Sequence, residues 1–253
     1  MSAHPWHVAG LRIGVCALLL SAARLTAVAP RQLAAPDDQR IRTQIEARLM
    51  DEGFLGVSVD VHGHVATLTG SITTLADREQ AIEQVHNVPL VVDVVDMTTI
   101  PPGDSDESIA MEIAEDVGNS SYYTVFDDVT VQVAKGTAML TGFVTTPVTS
   151  RHFVQAASKV PGVQRIINTI ETLPPSMNDA QVRYAIGTAI YGGLFPQYAS
   201  AHNGPIHIIV NLGHVTLTGV ASSHVDRRMA EVFARGTFGV VSVENRIAVE
   251  TED

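Results

Sequence analysis

The sequence predicts an α+β protein of three tandem αββαβ modules, each a small three-stranded mixed sheet packed against two helices. Three observations lead there. A strand-like run closing on Leu-Thr-Gly occurs three times, as HVATLTG ending at Gly70, TAMLTG ending at Gly142 and HVTLTG ending at Gly219. Twenty residues beyond Gly142 and Gly219 stands a Gly-Val pair, Gly162-Val163 and Gly239-Val240, and the same step from Gly70 reaches Leu90-Val91. Ahead of each Leu-Thr-Gly run lies an apolar stripe spaced i, i+4, i+8. A frame kept in register over three copies is an internal repeat, which fixes the architecture before any single element is assigned.

The stripes Ile41-Ile45-Leu49, Ile109-Ile113-Val117 and Val182-Ile186-Ile190 each lie on one face of a helix, the first element of each module. Asp38, Asp106 and Asp179 stand three places before them, where a carboxylate is expected to cap free N–H groups at the positive end of the helix dipole. Period-two runs follow: Val57-Val59-Val61, Val129-Val131-Val133 and Ile206-Ile208-Val210 predict half-buried strands. A tight turn containing Gly63, Gly136 or Gly213 leads into a second strand, with Ala66 and Leu68, Ala138 and Leu140, Val215 and Leu217 on the core face. Val61 to Ala66, Val133 to Ala138 and Val210 to Val215 are each five residues apart, which predicts one hairpin geometry used three times.

Ser or Thr at 73/74, 145/146 and 222/223 is placed to start a second helix. Its inner face is read as Leu75, the Arg78 stem, Ile82 and Val85 in the first copy, and as Val225, Met229, Val232 and Phe233 in the third. The last strand follows the Gly-Val pair, over 91–95, 163–167 and 240–243. The motif glycines have structural roles: Gly70, Gly142 and Gly219 sit where a strand leaves the sheet, and Gly162 and Gly239 start the last strand close to the second helix. Leu90 replaces that second glycine in the first copy, so its junction is expected to use an ordinary backbone conformation or to be strained.

Residues 1–36 contain no acidic residue and carry Arg12, Arg24 and Arg31, with the eleven-residue apolar run Ile13–Ala23 between them. This segment reads as a signal peptide or a disordered extension, too short in its apolar part to span a bilayer. Ala27-Val28-Ala29 has the small-x-small cleavage pattern but precedes Pro30, and cleavage after Ala23 is the alternative. Removal takes the charge from −11 to −14 and removes Cys16, the only cysteine, so the mature chain has no disulfide. No other segment is long and apolar enough to span a membrane. The modules are assigned to 37–100, 106–173 and 178–250, with short linkers at 101–105 and 174–177 that contain adjacent prolines and are expected to hold packed copies at fixed angles.

The repeated αββαβ unit, with Val-x-Leu-Thr-Gly, the twenty-residue step and Gly-Val-x-x-Val-x-Asn, resembles the BON (bacterial OsmY and nodulation) domain. The third copy carries the pattern most fully, in PIHIIV at 205–210, GHVTLTGV at 213–220 and GVVSVENRI at 239–247; the others depart from it at Leu90 and at Ala134-Lys135-Gly136. The resemblance implies a non-catalytic, exported periplasmic protein without cofactor. It would bind or scaffold at a phospholipid surface or with envelope protein partners. The alternative is a periplasmic protein of osmotic stress that binds unfolded or assembling proteins.

Composition narrows the partners. A chain of net charge −11 does not offer the cationic surface that neutralises phosphates, so nucleic acid is excluded as a partner. Ser222-Ser223-His224-x-Asp226 has the residue types of a catalytic triad, yet Ser222 and Ser223 align with Thr73-Thr74 and Thr145-Thr146 and are read as a helix start; no catalytic residue is assigned. His62-x-His64, and His207 with His214, lack a convergent third ligand, so no metal site is assigned either. The loop between first helix and hairpin is the segment whose length varies, from a step of eight positions, Leu49 to Val57, to a step of sixteen, Ile190 to Ile206. Its apolar residues Phe54, Leu55, Tyr122, Tyr123, Phe126, Leu194, Phe195 and Tyr198 are candidate lipid or partner contacts, or else covers for a sheet edge or a joint between modules. The oligomeric state is left open by the sequence.

Overall fold

The computed structural model describes residues 36–194 and 204–250, which lie in one compact unit, Ala34–Asp253. All of the proposed signal segment but Pro36, the first residue of α1, therefore falls outside the described residues. The first module comprises α1 (Pro36–Asp51), β1 (Val57–His62), β2 (Val65–Ser71), α2 (Leu75–His86) and β3 (Asp93–Thr99). The second comprises α3 (Asp106–Gly118), β4 (Asp128–Ala134), β5 (Thr137–Val144), α4 (Pro147–Lys159) and β6 (Arg165–Thr172). The third comprises α5 (Met177–Ala189), extended by a π-helical turn over Ile190–Leu194, then β7 (Ile206–Asn211), β8 (His214–Ala221), α6 (His224–Gly236), β9 (Ser242–Asn245) and β10 (Ala248–Val249).

Each sheet has the Leu-Thr-Gly strand in the middle, antiparallel to the strand before it and parallel to the strand after α2, α4 or α6. In the third module the last strand is interrupted, and β9 and β10 each pair with β8. The hairpins share one register, with Val61 opposite Ala66, Val133 opposite Ala138 and Val210 opposite Val215. All three turn on two residues with positive φ, Gly63-His64, Lys135-Gly136 and Leu212-Gly213, the primed turn whose twist matches that of the strands it joins. The stripes of α1, α3 and α5 close over these sheets: Ile41, Ile45, Ile113 and Ile186 are among the most deeply buried side chains of three separate cores.

The third strands begin two residues later than the Gly-Val pair because residues 91–92, 163–164 and 240–241 still complete the turn. In each copy the amide of Val92, Gln164 or Val241 donates to the carbonyl of His64, Gly136 or Gly213, at 2.8–2.9 Å. Gly162 and Gly239 have φ of +88° and +90°, and Leu90 keeps the same conformation at +73°. The first copy therefore takes the strained alternative: the turn geometry outweighs the penalty of a side chain in the left-handed region.

Two further expectations are corrected. The aspartates stand in the first turns of their helices, at the positive end of the dipole, but Asp106 and Asp179 do not hold the cap positions; Ser105 and Ser176 do, accepting from the amides of Ser108 and Asp179. Nor does α6 bury Val225, Met229 and Val232. These are 56%, 37% and 63% exposed, while Ala230 and Ala234 face the core. The same helical positions carry Ala81 and Val85 in α2 and Phe153 and Ala157 in α4, all buried, so the repeat frame selects the inner face where apolar periodicity within α6 misled.

The modules pack on one another. Leu75, at the start of α2, contacts both the first and the second core. The second and third modules meet through the loop before β4: the Ile208 amide donates to the Val125 carbonyl at 2.7 Å, and Phe126 packs on the third core, beside Gly187.

Candidate functional site

The polar groups repeated in every copy are used by the fold. Asp38 accepts from the amides of Gly63 and His64, both at 3.0 Å. Asp106 accepts from Lys135 and Gly136 at 2.7 and 2.9 Å, and Asp179 from Leu212 and Gly213 at 2.9 and 2.8 Å. Each carboxylate thus takes both amides of a primed turn and ties the hairpin tip to the first helix. At Asp106 these bonds, Gly136 foremost, hold the carboxyl below its ordinary pKa. The triad-like run is a helix start: the Ser223 hydroxyl accepts from the Asp226 amide at 3.0 Å, as Thr74 and Thr146 do from Asp77 and Thr149. His62 lies 3.0 Å from the Asp60 carboxylate, and no group of three or more ligating side chains converges among the described residues.

The loop residues divide between structure and surface. Phe54 packs against the first core. Tyr123 stands edge-on to Phe153 at 5.6 Å and 5.2 Å from the His207 ring, joining modules two and three; burial pushes its phenol up to about 12. Phe126 lies in the same joint. Asp127, fully buried, accepts from the amides and hydroxyls of Thr124 and Thr145 at 2.7–3.0 Å and fixes the loop that presents these rings. Tyr122 stacks on His152 at 3.6 Å while remaining exposed, and Leu55 is 80% exposed. Leu194 ends the π-helical turn, its side chain outside what is described; Phe195 and Tyr198 lie outside the described residues.

The surface that stands apart is the outer face of α6. Val225, Met229 and Val232 form an apolar stripe turned to solvent, with Arg228 beside it and Arg235 further round, where Arg235 is held by Glu231 at 2.8 Å. Phe238 and Val241, in the turn after the helix, are also exposed. The corresponding positions of α4 are Val148, Arg151, His152 and Gln155, which line a groove closed on its other side by Leu75 and Glu79 of α2. Val148 and Arg151 match Val225 and Arg228, but His152 and Gln155 stand beside the neighbouring module where Met229 and Val232 stand at the last one. Arginines 227, 228 and 235 are visible in the sequence as a local basic cluster; the apolar stripe between them was hidden by its assignment to the core.

A family model described as the BON domain matches residues 37–102, 105–174 and 193–251. No curated protein matches the chain. Among solved structures, CdsD, a structural protein of the type III secretion system of Chlamydia trachomatis, is 15% identical, with 83% of this chain and 92% of that one covered at a TM-score of 0.24. The periplasmic domain of the type III secretion inner membrane protein PrgH from S. typhimurium is 13% identical, with 81% and 100% covered at a TM-score of 0.23. At such scores these two likenesses carry no weight for the function.

Proposed function

We propose, from the premise that this chain belongs to the BON domain family, that it is a non-catalytic protein of the periplasmic envelope whose third module docks on a phospholipid surface. The observation that carries this is the outer face of α6, an apolar stripe next to arginines on a helix whose small residues, Ala230 and Ala234, hold it to the core. A helix of this kind lies in the interface of a bilayer, with its apolar face among the acyl chains and its cations at the headgroups. Burying a side chain such as Val or Met contributes about 1.5–3 kcal/mol, and a Lys or Arg near an anionic surface about 1 kcal/mol. The chain's charge of −11 opposes attraction at long range. Charges more than about 10 Å from the headgroups are screened at ordinary ionic strength, so the charges of α6 itself decide, where Arg227, Arg228 and Arg235 stand against Asp226 and Glu231. Among the described residues no helix is long and apolar enough to cross a membrane, which makes a surface contact the relevant kind.

Co-sedimentation of the full chain with vesicles tests this. The wild type should pellet with phosphatidylcholine vesicles containing phosphatidylglycerol, and Met229→Asp with Val232→Asp should abolish it at unchanged melting temperature. Binding that survives this double substitution, or none by the wild type at low salt, rejects the lipid reading. Capture of unfolded envelope protein by the same face would then favour the stress-protective alternative.

A further inference from the structure

The junction of the first two modules holds a second feature, remote in sequence from α6. The end of β3 meets the start of β5 and β6 in a cleft of about 310 Å³, lined by Arg78, Thr98, Thr99, Thr137, Gln164 and Arg165 together with Ile100. In a chain with 27 acidic and 16 basic residues, this lining has two arginines and no carboxylate.

The donors differ in how far the fold has already used them. Arg78 is held in place: its side chain is only 21% exposed, one terminal nitrogen donates to the Thr98 carbonyl at 3.1 Å, and Asp96 stands behind it, 3.5 Å from Nε. Asp96 offsets one positive charge without lining the cleft. The hydroxyls of Thr98 and Thr99 donate to Asp96 and to the Gly70 carbonyl, so they can only accept. Arg165 makes no ion pair among the described residues, and it stands opposite Thr137 in the β5–β6 register. The donors left to a ligand are therefore the Arg165 fork, the N–H groups of Arg78 not given to Thr98, the Thr137 hydroxyl and the Gln164 amide, drawn from both modules.

The repeat shows that the fold does not require this set. The positions of Arg78, Thr137 and Arg165 are Ser150, Val65 and Asp93 in one other copy or another, and Arg227, His214 and Ser242 in the third. Two guanidinium groups with uncharged donors between them suit a tetrahedral oxyanion, which accepts several hydrogen bonds at once and which a planar fork grips by two. The volume exceeds that of a bare ion and leaves room for a small substituent.

We propose that this cleft binds a phosphate group, free or carried by a small ester, and that Arg165 is its principal ligand. The site is separate from the lipid-docking face, so either can fail alone.

Titration of the full chain with inorganic phosphate, against chloride of equal ionic strength, tests it by calorimetry. Soluble short-chain phosphatidylglycerol forms a second arm. Phosphate should bind where chloride does not, and Arg165→Gln should weaken it by about tenfold, the loss expected for a charge-assisted hydrogen-bonding partner. Arg165 is exposed, so that variant should keep the wild-type melt; Thr137→Val provides a second, smaller loss. Met229→Asp should leave phosphate binding unchanged. Phosphate binding alone identifies the free ion as the source, and binding in both arms with the same dependence on Arg165 adds the headgroup. Phosphate no better than chloride, or affinity indifferent to Arg165→Gln, overturns the proposal.

Discussion

The hairpin tips and the outer faces of the second helices are treated differently by the repeat. At the tips, three modules solve one problem in one way: a primed turn leaves two amides facing out of the hairpin, and an aspartate on the first helix accepts both. The residues in the turn vary, as Gly-His, Lys-Gly and Leu-Gly, but the carboxylate does not. On the outer faces the positions are equally constant and the chemistry changes at two of them: α4 presents His152 and Gln155 where α6 presents Met229 and Val232. What repeats without change is what the module needs in order to fold, and what changes at a fixed position is what distinguishes one module's surroundings from another's.

The largest effect should come from removing a tie where it is most buried. Asp179 is 1% exposed and its bond to Gly213 is fully buried, so Asp179→Ala leaves two amides without an acceptor and should destabilise the third module by about 3 kcal/mol. Hydrogen exchange read at the β7–β8 turn measures this. Asp106→Ala, in a more exposed turn, should act in the same direction and less. A third module indifferent to the loss of Asp179 would remove the tie from the list of what the fold needs.

The exit from the hairpin offers a second comparison between equal positions. Gly142 and Gly219 have φ of +126° and +94°, and a Cβ on either would run into a backbone carbonyl, that of Asp128 or of Pro205. Replacing either by Val should cost about 1–3 kcal/mol, and the two losses should be alike. Thermal melts showing only one of them to matter would mean that the copies are not equivalent at the point where their geometry agrees best.

The smallest effect has the opposite sign. Leu90 holds a left-handed conformation that Gly162 and Gly239 hold freely in the other copies, and its side chain is 54% exposed, so little packing is lost on removing it. Leu90→Gly should stabilise the first module by about 1 kcal/mol, the relief of one strained residue less the entropy a glycine adds to the unfolded chain. A denaturant midpoint that falls instead would assign Leu90 a packing role that outweighs its strain.

The repeat made most of the fold legible. Constant spacings located the stripes of α1, α3 and α5 and the hairpin register, because these depend on period and turn chemistry, which are local properties of the chain. Periodicity within a single helix was less reliable. Val225, Met229 and Val232 satisfy an apolar stripe on α6 as well as Ala230 and Ala234 satisfy a core, and a stripe does not say which way it points. The loop aromatics show the same gap, since Tyr123 and Phe126 share their loop with Tyr122 but enter a joint that exists only when two modules meet.

The sequence by itself determined the module, its number of copies and its register, because hydrogen-bonded elements follow from residue types a few positions apart. Only the tertiary structure decided which apolar face meets solvent, that the aspartates tie the hairpin turns, and that Arg78 and Arg165 share a cleft, 87 positions apart in the chain. Those facts depend on which surfaces the packed modules cover. Covering is a property of the assembled chain, with no counterpart in local spacing.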